Sequence, residues 1–253
     1  MKNLVSICTI IFMIVGFLGC GNMEMSTESD DQVETRIIGE SNVIFDKPVY
    51  SKDGVDDVWP DIKAYYEAQN SSAGYSSDGY HNYWYSTIYN VTSKAVEETT
   101  GVRLFDSSEN LFVENNGKIS AIPGGFINAI PWDYDKDGNM DLLIASYSGS
   151  GFLFLELWVF NTKTNTSESV YFERSSDRML YAVTSEAPED ENNASRCYVH
   201  VVNMQYEIEE IDFDSGVIDK ADIGKMTDIE DKGLVGYIEY KGGKFVFEDY
   251  PWD

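Results

Sequence analysis

The chain has 253 residues, with 44 acidic side chains against 18 basic ones, a formal net charge of −26 and a sequence pI near 4.2. Its length supplies one sizeable hydrophobic core or two small ones. Its charge excludes nucleic acid and anionic headgroup surfaces as partners, because both are repelled.

In chain order, Lys2 and the apolar run 4–18 read as a secretory signal, since a run of fifteen residues falls short of the ~20 that a spanning helix needs. The run ends Phe17-Leu18-Gly19-Cys20, which resembles a bacterial lipobox. The resemblance implies a lipoprotein signal peptide over 1–19, cleavage before Cys20, and a diacylglycerol thioether on the Cys20 sulfur. It further implies a lipid membrane as partner and an extracytoplasmic place in the bacterial cell envelope, anchored without spanning. Residues 20–35 are polar, acidic and aperiodic. They read as a flexible tether with an r.m.s. reach of roughly 20 Å.

The body, 36–253, reads as one mainly-β domain. Ile37-Ile38 and Val43-Ile44-Phe45 have the composition of short strands, and Pro60 suits the first position of a helix over 61–67. After a loop from Asn70, the run 75–89 is dense in aromatic residues. Tyr80, Tyr83, Trp84 and Tyr85 can form a platform for a glycan or protein ligand, or can equally be alternate rings of a core strand. A second helix is predicted over 92–100, capped by Thr92 and ended by Gly101. From Val102 the pattern is strand and turn, with a hairpin around Asn115-Asn116-Gly117, an apolar strand 152–160, and further strands at 169–173, 179–184 and 197–208. A last hairpin turns at Gly242-Gly243. Some ten strands and two short helices near the N-terminus predict antiparallel hairpins, either a meander or a partial propeller-like arrangement.

The densest chemistry lies at 133–141, read D-Y-D-K-D-G-N-M-D. Asp133, Asp135, Asp137 and Asp141, with the Asn139 backbone carbonyl, offer the hard oxygen ligands that Ca²⁺ prefers, and Gly138 supplies a positive φ for the turn. The twelfth position from Asp133 is Ile144 rather than the Glu of an EF-hand, and both flanks read extended, so the loop joins strands. The run from Gly124 to Ser146, with Tyr147-Ser148-Gly149-Ser150-Gly151 after it, resembles the FG-GAP/VCBS-like repeat unit and a group of small bacterial lipoproteins. That resemblance implies Ca²⁺ held by Asp133, Asp135, Asp137, Asn139 and Asp141 in an inter-strand loop. Asp53-Gly54-Val55-Asp56-Asp57 and the stretch 212–219 are partial echoes of it, more simply read as acidic turns.

Cys8 leaves with the signal, so Cys197 stands without a disulfide partner and reads as a buried thiol. The histidines, His81 and His200, fit no metal-ligand pattern, and Ser148-Gly149-Ser150 lacks the leading glycine of a nucleophile elbow. The sequence therefore favours a membrane-anchored, exported, calcium-binding protein that acts as a binding or surface-scaffold module. The alternative is an exported hydrolase of cell-wall or extracellular polymer with structural calcium.

Overall fold

The structure, a computed structural model, describes residues 43–45, 48–70, 87–107, 109–148, 154–170, 180–187, 195–212 and 220–250. The signal peptide, Cys20, the tether, the Ile37-Ile38 strand, the platform residues Tyr80, Tyr83, Trp84 and Tyr85, and the 213–219 part of the second echo lie outside them.

Among the described residues the fold is mainly β, as expected, with two named helices near the start. Helix α1 is Val55–Asn70 and α2 is Lys94–Thr100. Strands β1 (Tyr89–Asn90), β2 (Arg103–Asp106), β3 (Asn110–Asn115) and β4 (Lys118–Pro123) form one antiparallel meander. A second meander comprises β5 (Gly125–Trp132), β6 (Asp141–Ser148), β7 (Phe154–Asn161) and β8 (Thr166–Val170). A third comprises β9 (Leu180–Thr184), β10 (Arg196–Asp212), β11 (Lys220–Lys241) and β12 (Lys244–Asp249). Each has the strand number and chain order of a propeller blade.

The three sheets stack, with the second in the middle. Along β6, Leu142 and Ile144 face the first sheet's core with Leu104, Leu111 and Val113. Leu143 and Ala145 face the third sheet's core with Val199, Val235 and Ile238. Burial on both faces explains why Leu142-Leu143-Ile144-Ala145 is continuously apolar where a half-exposed strand would alternate. On the outer face of the first sheet, Val55, Val58, Ile62 and Tyr66 of α1 pack on Ile88, Phe105 and Phe112.

Local rules account for several boundaries. Asn116 and Gly117 both have positive φ (53° and 75°), which a two-residue hairpin turn with right-handed twist requires. Gly101 ends α2 in the left-handed region at φ 71°.

Three expectations are corrected. The cap of α2 is Ser93, whose hydroxyl accepts the Val96 N–H, while the Thr92 hydroxyl is occupied by the Leu104 N–H at 2.8 Å. Val43-Ile44-Phe45 forms no strand. Phe45 is instead a buried plug whose ring meets His200 edge-on. Finally, α1 starts at Val55 and carries Pro60 inside it. Proline within a helix costs about 3 kcal/mol. Burying Val55 and Val58 ahead of it returns roughly 1.5–3 kcal/mol each, so the longer helix wins.

The echo at 53–57 becomes the start of α1. Gly54 makes the turn at φ 72°, Asp56 and Asp57 lie in the first helical turn, and Asp57 meets Arg103 at 3.6 Å.

Candidate metal centre

The acidic loop is the turn between β5 and β6, so two antiparallel strands hold it, and helices of an EF-hand are absent from its flanks. Trp132 pairs with Asp141 at the base. Lys136 (φ 60°) and Gly138 (φ 85°) reverse the chain between them. A side chain on Gly138 would meet nothing within 4 Å, so the glycine is needed for backbone conformation and not for space.

The loop's own amides fix one oxygen on each of three carboxylates. Gly138 N–H donates to Asp133 Oδ2 (3.2 Å), Asp137 N–H to Asp135 Oδ1 (3.1 Å) and Asn139 N–H to Asp137 Oδ1 (2.8 Å). Asp133, Asp135 and Asp137 each bring a carboxylate oxygen within 4.8 Å of the others. Asp133 Oδ1 is buried without a hydrogen-bond partner. Such hard, anionic donors fit Ca²⁺, whose flexible shell takes carboxylates, carbonyls and water together. The Asn139 side chain turns inward and donates to Asp137 Oδ1 at 2.7 Å. Those amide donors, aided by Lys163, hold the Asp137 carboxyl below its ordinary range.

Asp141 stands outside that triad. It is buried, and Oδ1 accepts from the Thr162 N–H (2.8 Å) and hydroxyl (3.2 Å), while Oδ2 accepts from the Asn161 amide (3.4 Å). Burial pushes its carboxyl up, and the Thr162 bonds oppose that. Asp141 thus ties the acidic loop to the β7–β8 turn.

That neighbouring turn brings groups the sequence reading does not single out. Lys163 Nζ lies 3.2 Å from Asp137 Oδ2, Asn161 donates to the Tyr134 hydroxyl at 2.9 Å, and Thr162 donates to the Met140 carbonyl at 3.0 Å. Asn115 from the first sheet reaches the Thr162 carbonyl (2.6 Å) and Asn165 Oδ1 (2.8 Å). The available signal was the turn Asn161–Asn165 itself, with a lysine at its centre in a chain poor in cations.

Elsewhere, Cys197 is buried and its thiol is pushed well up by burial, as the sequence reading expects of a core thiol. His200 is also buried, with Nδ1 3.0 Å from Asp231 Oδ1. Compared with protein-family models, with curated proteins and with solved structures, the chain shows no match.

Proposed function

We propose that this chain is an exported calcium-binding protein, anchored to a membrane by acyl groups on Cys20 and acting as a binding or surface-scaffold module. The observation that carries the metal reading is the convergence of Asp133, Asp135 and Asp137, one oxygen each within 4.8 Å. Three like charges that close repel one another, and a divalent cation removes the repulsion. The Asn139 carbonyl and Asp141 remain the further ligands that the FG-GAP/VCBS resemblance implies. The anchor rests on the Phe17-Leu18-Gly19-Cys20 pattern, and the sought ligand, a glycan or a protein, on the rings of Tyr80, Tyr83, Trp84 and Tyr85.

Calcium that binds only the folded loop raises stability by mass action. For a dissociation constant of ~10⁻⁴ M and ~2 mM free Ca²⁺ the gain is ~1.8 kcal/mol. In a domain of this size that lifts the melting temperature by roughly 4–7 °C. Equal Mg²⁺ does much less, because it demands near-octahedral geometry. Thermal melts of the full chain in Ca²⁺, Mg²⁺ and chelator test this, and identical melting in all three removes the metal from the proposal. Fatty-acid labelling of the wild type, lost in Cys20→Ala, tests the anchor.

A further inference from the structure

The β7–β8 turn is fastened to the acidic loop at several points. The Thr162 N–H and hydroxyl both reach Asp141 Oδ1, and the hydroxyl also lies 3.0 Å from the Met140 carbonyl. Asn161 donates to the Tyr134 hydroxyl at 2.9 Å. Its Oδ1 closes the turn on itself by accepting the N–H groups of Lys163 (3.2 Å) and Thr164 (2.9 Å). Asn115 fastens the far side through the Thr162 carbonyl and Asn165 Oδ1. The backbone at Lys163 is thus held from both sides, and its side chain leaves from a fixed point beside the acidic loop.

That side chain takes the Asp137 oxygen which the loop's own amides leave open. Asp137 Oδ1 already accepts the Asn139 N–H at 2.8 Å and the Asn139 side-chain amide at 2.7 Å. Oδ2 accepts the Lys163 ammonium at 3.2 Å. A cation seated among Asp133, Asp135 and Asp137 draws on the same oxygen, because the lone pairs of Oδ1 are engaged. It would also meet a like charge for as long as the ammonium stayed. Lysine suits a partner that has to leave, being a compact charge on a flexible stem. Its side chain is 68% exposed, so the ammonium swings into water without crossing a buried region.

We infer that Lys163 is the resident counter-cation of the acidic loop: its ammonium holds Asp137 Oδ2 until calcium displaces it, and so sets how tightly the loop takes calcium. The inference rests on the calcium reading proposed above. Without metal, Lys163 offsets part of the repulsion among the three carboxylates. With metal, that ion pair is lost, and its loss is subtracted from the affinity. An exposed ion pair of this kind is worth roughly a two- to fivefold change in a binding constant.

Calcium titration calorimetry on the full chain at low ionic strength tests the inference. Lys163→Met keeps the stem, removes the charge, and binds calcium roughly two- to fivefold more tightly than wild type. Lys163→Arg keeps the charge and binds as wild type does. Lys136→Met removes one charge from the loop itself, at a lysine with no ion pair among the described residues, and tightens binding less than Lys163→Met. In chelator, Lys163→Met melts roughly 1–4 °C below wild type, and in saturating calcium the two melt together. Equal affinities for wild type and Lys163→Met overturn the inference and leave the calcium reading standing. Equal tightening by Lys136→Met also overturns it, by reducing Lys163 to one part of the general field. If neither wild type nor any variant binds calcium, the calcium reading falls and the inference falls with it.

Discussion

The side-chain amide of Asn128 pairs with both backbone groups of Val183: its Nδ2 donates to the carbonyl at 2.7 Å and its Oδ1 accepts the N–H at 3.0 Å. One side chain thus takes the place of a neighbouring strand, joining the edge of the second sheet to the third. A register shift between Phe126 and Asn128 turns the amide outward to do so. On the same edge, the Phe126 N–H donates to Asp106 Oδ1 of the first sheet at 3.3 Å, so β5 is stitched to both neighbours.

Asn128→Leu keeps the volume and leaves two buried backbone groups without partners. Each costs ~1–3 kcal/mol, so the variant loses about 2–6 kcal/mol in denaturant unfolding. That lowers the melting temperature by roughly 4–24 °C. A loss below about 0.5 kcal/mol would mean that Val183 finds other partners.

In chelator, Asp141→Ala and Asp135→Ala separate a carboxylate that also holds the fold from one that serves the metal alone. Asp141 is 1% exposed and satisfies the Thr162 N–H, so its loss costs ~1–3 kcal/mol without any metal present. Asp135 is exposed, and its loss stays within about 0.5 kcal/mol. With Ca²⁺ added, Asp135→Ala no longer shows the wild-type rise. Equal destabilisation of the two variants in chelator would contradict the division of roles.

Glu239 sets an acid limit. Burial pushes its carboxyl up, but bonds from Lys241 and Arg196 outweigh burial and leave it below the ordinary value of 4.5. A lowered carboxylate stabilises the fold above its unfolded pKa, and that contribution disappears as pH falls through the folded value. Glu239→Gln therefore costs about 1–3 kcal/mol at pH 7, as charge-assisted hydrogen bonds become neutral ones. The cost shrinks progressively below about pH 4.5. Parallel stability curves from pH 7 to pH 3 would remove Glu239 from the acid transition.

Gly125 makes room for Tyr147. A Cβ there would lie 2.6 Å from the ring's Cζ and 2.8 Å from its hydroxyl. Gly125→Ala costs ~1–3 kcal/mol through overpacking, measurable by denaturant unfolding. Combined with Tyr147→Leu, which removes the ring's far end, the two costs fall short of additive by at least about 0.5 kcal/mol. Strict additivity would show that the glycine serves some other end.

Rules spanning a few residues were readable from the sequence. The Asn116-Gly117 turn, the Gly101 stop, the Gly138 reversal and the close set Asp133, Asp135 and Asp137 depend on φ preferences and on neighbours along the chain. Alternation and turn chemistry likewise sufficed for a mainly-β fold of antiparallel hairpins. Where local rules competed with burial, burial decided. Pro60 marks a first turn by its own chemistry, but the apolar stripe from Val55 to Tyr66 carried the helix past it.

The sequence by itself determined that an acidic loop joins β5 and β6, because its carboxylates, its glycine and its extended flanks all lie within one hairpin. Only the tertiary structure decided what surrounds that loop. Thr162 and Lys163 lie more than twenty residues downstream of Asp141 and Asp137, and reach them because β7 pairs beside β6. Asn128 meets Val183 across 55 positions, and Lys225 of the third sheet meets the Tyr89 ring of the first. No periodicity or turn propensity encodes such meetings, since they depend on how three separately paired sheets stack to bury both faces of the middle one.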